Sequence, residues 1–273
     1  MNFNLFIVAL NLLAIALTVS HADHTAINIC DNVADKVFLT DVANCSKYYI
    51  CLNNTAIPQI CDGNLFFDAS TQSCHANSST CLTCAANQLS FHALAKTCNK
   101  YVMCFDGVQM VKKCYDTLQF NPAIGKCDLP QNVDCVENHC SIYNDPNNLT
   151  YVPSLAACDK YYICLDGNPI EQTCAKSLQF NPTCNYCDVP SNVKCSIKAL
   201  PRSMRRSAKI PPSATNISCP ESGIHFYPHD NTASAYVMCS EGKSVVLSCA
   251  DGLLFDRESS ACRQPKYVRF SKV

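Results

Sequence analysis

Cysteines recur along this chain at spacings that repeat, and that repetition limits the possible folds more than any other feature. Eighteen of them form three sets of six: Cys30, Cys45, Cys51, Cys61, Cys74 and Cys81; Cys84, Cys98, Cys104, Cys114, Cys127 and Cys135; and Cys140, Cys158, Cys164, Cys174, Cys187 and Cys195. In every set five residues separate the second and third cysteines, nine the third and fourth, and twelve the fourth and fifth. Only the first gap varies freely, at 14, 13 and 17 residues. A fourth copy, with Cys219, Cys239, Cys249 and Cys262, keeps the nine and twelve spacings. Ala233 stands where its second cysteine belongs, and the sixth would fall at Arg269 or Phe270. Self-similarity at a fixed period marks a tandem array of one small unit.

Other positions repeat with the cysteines. Seven residues before the second cysteine stand Phe38, Phe91, Tyr151 and Phe226, and three residues after it stand Tyr48, Tyr101, Tyr161 and Tyr236. After the fourth cysteine comes Leu-x-Phe-Asp/Asn: Leu65, Phe67 and Asp68; Leu118, Phe120 and Asn121; Leu178, Phe180 and Asn181; Leu253, Phe255 and Asp256. Runs such as YYICL before Asp166-Gly167 and YVMCF before Asp106-Gly107 are aromatic and β-branched and end at a turn dipeptide, the mark of a β-hairpin. The stretch between the fourth and fifth cysteines predicts a second, smaller hairpin, and nothing after residue 22 has convincing helical periodicity. The fold class expected is therefore four small disulfide-rich all-β modules in tandem. A module of roughly 50 to 60 residues has a marginal apolar core unless it is stapled. Closing a loop of about 15 residues with a disulfide contributes roughly 3 kcal/mol on a chain-entropy view, so the cysteines are the main support.

With 23 Cys in 273 residues, the chain approaches the composition of an exported disulfide scaffold. Its opening agrees: an apolar run from Leu5 to Val19 ends in Ser20 and Ala22, the small residues of a signal-peptide cleavage site, which predicts removal of residues 1–22. A single-pass anchor is the competing use of such a run. Zinc is the competing use of the cysteines, but the pairs Cys81–Cys84 and Cys184–Cys187 have no matching second pair at finger-like spacing. No metal or cofactor is expected. A net charge of −1 with scattered Lys and Arg offers no stripe to track phosphates, so nucleic acid is not an expected partner. The mature chain is expected to be extracellular and free of the membrane. Its layout reads as modules over 23–82, 83–136, 137–196 and 218–273, with a basic, Pro- and Ser-containing flexible linker over 197–217.

The motifs CSKYYIC, CDKYYIC, CDLPQNVDC and CDVPSNVKC, on this spacing, resemble the peritrophin-A type chitin-binding domain, family 14 of the carbohydrate-binding modules, over roughly residues 30 to 270. The resemblance implies an antiparallel sheet plus a short hevein-like hairpin in each module, and pairing of first with third, second with sixth and fourth with fifth cysteines. That pairing gives Cys30–Cys51, Cys45–Cys81 and Cys61–Cys74; Cys84–Cys104, Cys98–Cys135 and Cys114–Cys127; and Cys140–Cys164, Cys158–Cys195 and Cys174–Cys187. In the fourth module it leaves Cys219–Cys239 and Cys249–Cys262, because the two missing cysteines are partners in this scheme. Cys184 is left unpaired, or else replaces Cys187 opposite Cys174. An exposed Cys184 would be open to an intermolecular disulfide. The chain departs from the family at the position two after the fifth cysteine, often aromatic there but here Ala76, Leu129, Val189 and Gln264, and it has no Trp.

The resemblance makes chitin the expected partner and the chain a non-catalytic, peritrophin-like structural protein of an arthropod peritrophic matrix or cuticle. An antimicrobial chitin-binding lectin is the alternative. β-Linked N-acetylglucosamine presents flat C–H faces to aromatic rings and acetamido groups to polar partners. Tyr48, Tyr101, Tyr161 and Tyr236 are the ring candidates, and equally the residues that could fill the core between disulfides. The family's contact hairpin points to Asp68, Asn121, Asn181 and Asp256, each of which could instead only form its turn. The aromatic that the family places two residues further on is here Ser70, Ala123, Thr183 and Glu258. Glycosylation is expected at Asn53, Asn77, Asn148 and Asn216; Asn44 also begins a sequon but adjoins Cys45.

Overall fold

The computed structural model describes residues 27–143, 145, 147–195, 197 and 217–268. The leader, most of the linker and Asn216 lie outside them. Each repeat folds into the same pair of sheets: the two hairpins that the strand and turn residues predict, the longer one widened by a third strand into the antiparallel sheet that the family resemblance implies. Module 1 has a three-stranded antiparallel sheet of β1 (Phe38–Thr40), β2 (Lys47–Leu52) and β3 (Thr55–Ile60), then a hairpin of β4 (Phe66–Asp68) and β5 (Ser73–His75). Module 2 repeats this with β6 (Leu89–Ala93), β7 (Lys100–Phe105) and β8 (Val108–Lys113), then β9 (Gln119–Asn121) and β10 (Lys126–Asp128). Module 3 uses β11 (Tyr151–Pro153), β12 (Lys160–Leu165), β13 (Asn168–Thr173), β14 (Gln179–Asn181) and β15 (Tyr186–Asp188). Module 4 uses β16 (Ile224–Pro228), β17 (Ala235–Ser240), β18 (Lys243–Ser248), β19 (Leu254–Asp256) and β20 (Ala261–Arg263). Apart from single 3-10 turns, the one described helix is a four-residue turn, α1 (Pro130–Val133), which starts on proline.

The long hairpin turns at two residues with positive φ in every module: Asn53-Asn54, Asp106-Gly107, Asp166-Gly167 and Glu241-Gly242. Both central residues must be left-handed in the turn type that matches strand twist, which is why Asn, Asp and Gly recur there. All eleven disulfides join first to third, second to sixth and fourth to fifth cysteines. Module 4 has no second–sixth bond, yet it keeps the contact this bond overlies. Phe255 N–H donates to Ala233 O at 2.8 Å, as Phe67, Phe120 and Phe180 donate to Cys45, Cys98 and Cys158 at 2.8, 2.8 and 2.9 Å.

Modules 1 to 3 are packed together. Buried Asn138, between modules 2 and 3, donates from Nδ2 to Asn32 O at 2.9 Å and accepts from Ala34 N–H at 2.8 Å. Lys96 is buried, and its ammonium donates to Gly167 O at 2.8 Å and Asn168 Oδ1 at 2.9 Å. Lys100, with 0 % exposure, donates to Asp31 O and to Asn99 Oδ1. Asp134 accepts from Ser154 Oγ at 2.7 Å and Tyr162 Oη at 2.9 Å, tying module 2 to module 3. An apolar cluster around Leu94, Val102 and Cys104 takes in Ile29 and Val42 of module 1. Module 4 packs on module 2 through a cluster holding Leu118 and Phe120 with Leu253 and Phe255.

Candidate functional site

Alternation along a strand places side chains of one parity on one face. In each module this aligns three rings: one from the first strand, the tyrosine of the second, and the phenylalanine of the small hairpin. Tyr48 stacks on Phe67 at 4.6 Å between ring centroids and 12°, and Phe38 tilts against it at 5.7 Å. Tyr101 stacks on Phe120 at 4.7 Å with Phe91 at 6.2 Å; Tyr161 on Phe180 at 4.3 Å with Tyr151 at 6.3 Å; Tyr236 on Phe255 at 4.7 Å with Phe226 at 6.2 Å. The phenylalanines are buried and the tyrosines half-buried. One face of each tyrosine is therefore committed to its phenylalanine, and a sugar would meet the remaining edge and hydroxyl. The tyrosines are core and candidate contact at once.

Asp68, Asn121, Asn181 and Asp256 all close the turn of the small hairpin. Ser70 N–H and Oγ donate to Asp68 Oδ1 at 2.8 and 2.7 Å; Ala123 N–H donates to Asn121 Oδ1 and Thr183 N–H to Asn181 Oδ1, both at 3.1 Å. Ser259 N–H and Oγ donate to Asp256 Oδ2 at 3.0 and 2.6 Å. Burial pushes the Asp68 carboxyl up, but the Ser70 hydrogen bonds outweigh it and hold the group below the usual carboxylate range. The same contest at Asp256 is decided by Ser259 and the Arg263 guanidinium. In Asn121 the amide nitrogen is also engaged, donating to Asp128 Oδ2 at 3.1 Å. Each of the four thus builds a turn, and the exposed turn is what it presents.

The environments of the four faces differ. In module 3 a cleft of about 390 Å³ opens against the Phe180 ring, lined also by Pro153, Pro182, Val193, Lys160 and Lys194 and by Pro130 of module 2, within the size range of a small-ligand site. Tyr186, 55 % exposed, lies directly across the hairpin from Asn181. The repeat pattern does not mark it, because the other modules carry Ser73, Lys126 and Ala261 at that position. In modules 2 and 4 the ring faces lie in one shared cluster; burial pushes the Tyr236 hydroxyl up to about 12 and raises that of Tyr101 as well. Cys184 is free and exposed in the turn of the module 3 hairpin. Among the sequons, Asn53, Asn77 and Asn148 are exposed, Asn53 at the tip of the long hairpin. Asn216 lies outside the described residues. No group of three or more metal-ligating side chains exists among those residues.

The family model "Chitin binding Peritrophin-A domain" matches residues 30–81, 84–135, 145–195 and 219–269, one match per repeat. Peritrophin-1 of Anopheles gambiae is 34 % identical over 112 residues, covering 36 % of this chain and 73 % of its own length. Peritrophin-48 of Lucilia cuprina is 23 % identical over 277 residues, covering 89 % of this chain and 69 % of its own. Protein obstructor-E of Drosophila melanogaster is 27 % identical over 185 residues, covering 55 % and 74 %.

Proposed function

The chain belongs to the chitin-binding Peritrophin-A domain family, and from that premise we propose that it is a secreted, non-catalytic structural protein that coats or cross-links chitin in an arthropod extracellular matrix. The observation that carries this reading is the aromatic face built four times over on disulfide-stapled hairpins, with a cleft of about 390 Å³ against Phe180 in module 3. Tyr48 and Tyr161 supply ring edges and hydroxyls, and Asp68 and Asn181 shape the adjoining turn. Eleven disulfides suit an oxidising compartment, which supports export and removal of residues 1–22. No described helix is long and apolar enough to cross a membrane. Modules of this family are generally non-catalytic, and this chain joins four of them.

A structural role follows from repetition. One shallow face binds a polymer weakly, whereas linked faces gain about 100-fold or more through effective concentration. The 23–273 chain is expected to be retained on chitin beads and to pass through cellulose, which lacks the acetamido group. Paired Tyr48→Ala and Tyr161→Ala changes should abolish retention while leaving the disulfides formed. Equal retention on both polymers would overturn acetamido recognition.

A further inference from the structure

We propose that modules 2 and 4 close on each other as an intramolecular clasp, each covering the other's aromatic face, so that the closed chain offers to chitin only the face of module 3 and that of module 1, where Tyr143 of module 3 lies edge-on to Phe38 at 6.4 Å. The four repeats are their own control. The leucine after the fourth cysteine is half-buried in modules 1 and 3, at Leu65 and Leu178, but 1 % exposed at both Leu118 and Leu253. The same positions from both modules enter one cluster: Cys114 with Cys249, Leu118 with Leu253, Phe120 with Phe255, and around them Tyr101 with Tyr236 and Phe91 with Phe226. Like surface meets like surface, the arrangement of an isologous interface built within one chain.

The rim shows why module 4 selects module 2. Arg263 donates from Nη2 to Asp116 Oδ1 at 2.7 Å and from Nε to Asp116 Oδ2 at 3.2 Å, a bidentate pair. Gln264 Nε2 donates to Thr117 Oγ1 at 3.2 Å, and Lys126 Nζ to Ser248 Oγ at 2.7 Å. After the fifth cysteine the other modules carry His75, Asp128 and Asp188, so this arginine is peculiar to module 4. At the position of Asp116, module 1 has Gly63 and module 3 has Lys176. Module 1 would leave Arg263 only the Asp256 carboxylate of its own module, 3.5 Å away, and module 3 would repel it, so charge disfavours both wrong partners as well as attracting the right one.

The chitin part of this inference rests on the reading that the aromatic faces bind sugar; the clasp itself does not. Hydroxyl-radical footprinting of the full oxidised chain, read by mass spectrometry, should find Leu118 and Leu253 oxidised several-fold more slowly than Leu65 and Leu178. Asp116→Lys should remove that protection, and Asp116→Glu, which keeps a carboxylate opposite Arg263, should retain it. Asp116→Gly copies module 1 at a backbone φ of 57°, close to the 61° of Gly63, and should weaken the protection without disturbing the turn. On chitin beads the opened Asp116→Lys chain should dissociate about tenfold more slowly than wild type, since it offers four linked faces in place of two. If all four leucines of the wild type oxidise alike, the clasp is wrong. If the clasp opens but retention on chitin does not rise, shielding is wrong and modules 2 and 4 have no sugar face, while the contact between them stands.

Discussion

Lys100 makes the stability of the three-module body depend on pH in an unusual direction. Its side chain is fully buried between modules 1 and 2, and burial drops its pKa from 10.5 to about 8, partly opposed by the nearby Asp31 carboxylate and assisted by Lys113. Below pH 8 the folded and unfolded chains both hold the proton, and the folded chain bears the full cost of a buried ammonium. Between pH 8 and 10.5 the folded chain releases the proton while the unfolded chain keeps it, so stability rises with pH. Each pKa unit is worth about 1.4 kcal/mol, which sets a ceiling of roughly 2.5 kcal/mol by pH 10. Lys96 and Lys112, lowered in the same direction by burial, add to the same trend. Above pH 10 Tyr101 and Tyr236 reverse it, because burial raises their pKa values and ionising them requires exposure. The assay is thermal unfolding of a Cys184→Ser chain, which removes the free thiol, at pH 7, 8, 9 and 10. A gain of 2 kcal/mol should raise Tm by about 4 to 8 °C. Lys100→Met should lose much of that rise. A wild-type Tm that stays flat or falls from pH 8 to 10, or a Lys100→Met chain that rises just as steeply, would refute a buried, titrating Lys100.

Limited trypsin on the oxidised chain should cut first at Arg202, Arg205 or Arg206, which lie outside every disulfide loop, and the nicked module 4 should co-elute with the remainder on size exclusion. An early cut within residues 30–195 would contradict the layout. Replacing both Cys158 and Cys195 with Ala should cost about 4 kcal/mol of loop-closure entropy, yet leave the module 3 sheets intact by circular dichroism, as module 4 folds with Ala233 at that position. Non-reducing electrophoresis of wild type against Cys184→Ser should show a disulfide-linked dimer or a small-thiol adduct in the wild type alone; their absence would remove the cross-linking role.

The local fold was legible because its determinants are local. Cysteine spacing, a turn dipeptide that needs positive φ, and an aromatic of fixed parity all act within one repeat, and the repetition exposes them. The pairing was not readable from spacing alone and came through the family resemblance. The candidate polar residues Asp68, Asn121, Asn181 and Asp256 look alike in sequence, but their hydrogen bonds face inward to the turn, a matter of rotamer and backbone direction that spacing does not carry. Tyr186 was hidden for the opposite reason: it is peculiar to one module, and repetition reveals only what is shared. The placement of modules was least legible. Lys100 reads as an ordinary surface lysine until Asp31 folds over it, and the pairing of Arg263 with Asp116 spans 147 residues.

Asn138 and Lys96 have a mechanical meaning. Four modules on flexible tethers would behave as separate grips that each polymer strand could draw into any orientation. The hydrogen bonds from these two side chains to Asn32, Gly167 and Asn168 instead lock the first three modules into one stiff bracket. If modules 1 and 3 bind chitin as proposed, their faces would stand at a fixed distance and angle, and a bracket joining two chitin strands would hold them at that separation. The mesh of such a matrix would be gauged by the protein, and loads across it would be carried in shear through buried side chains, with no slack linker to take up.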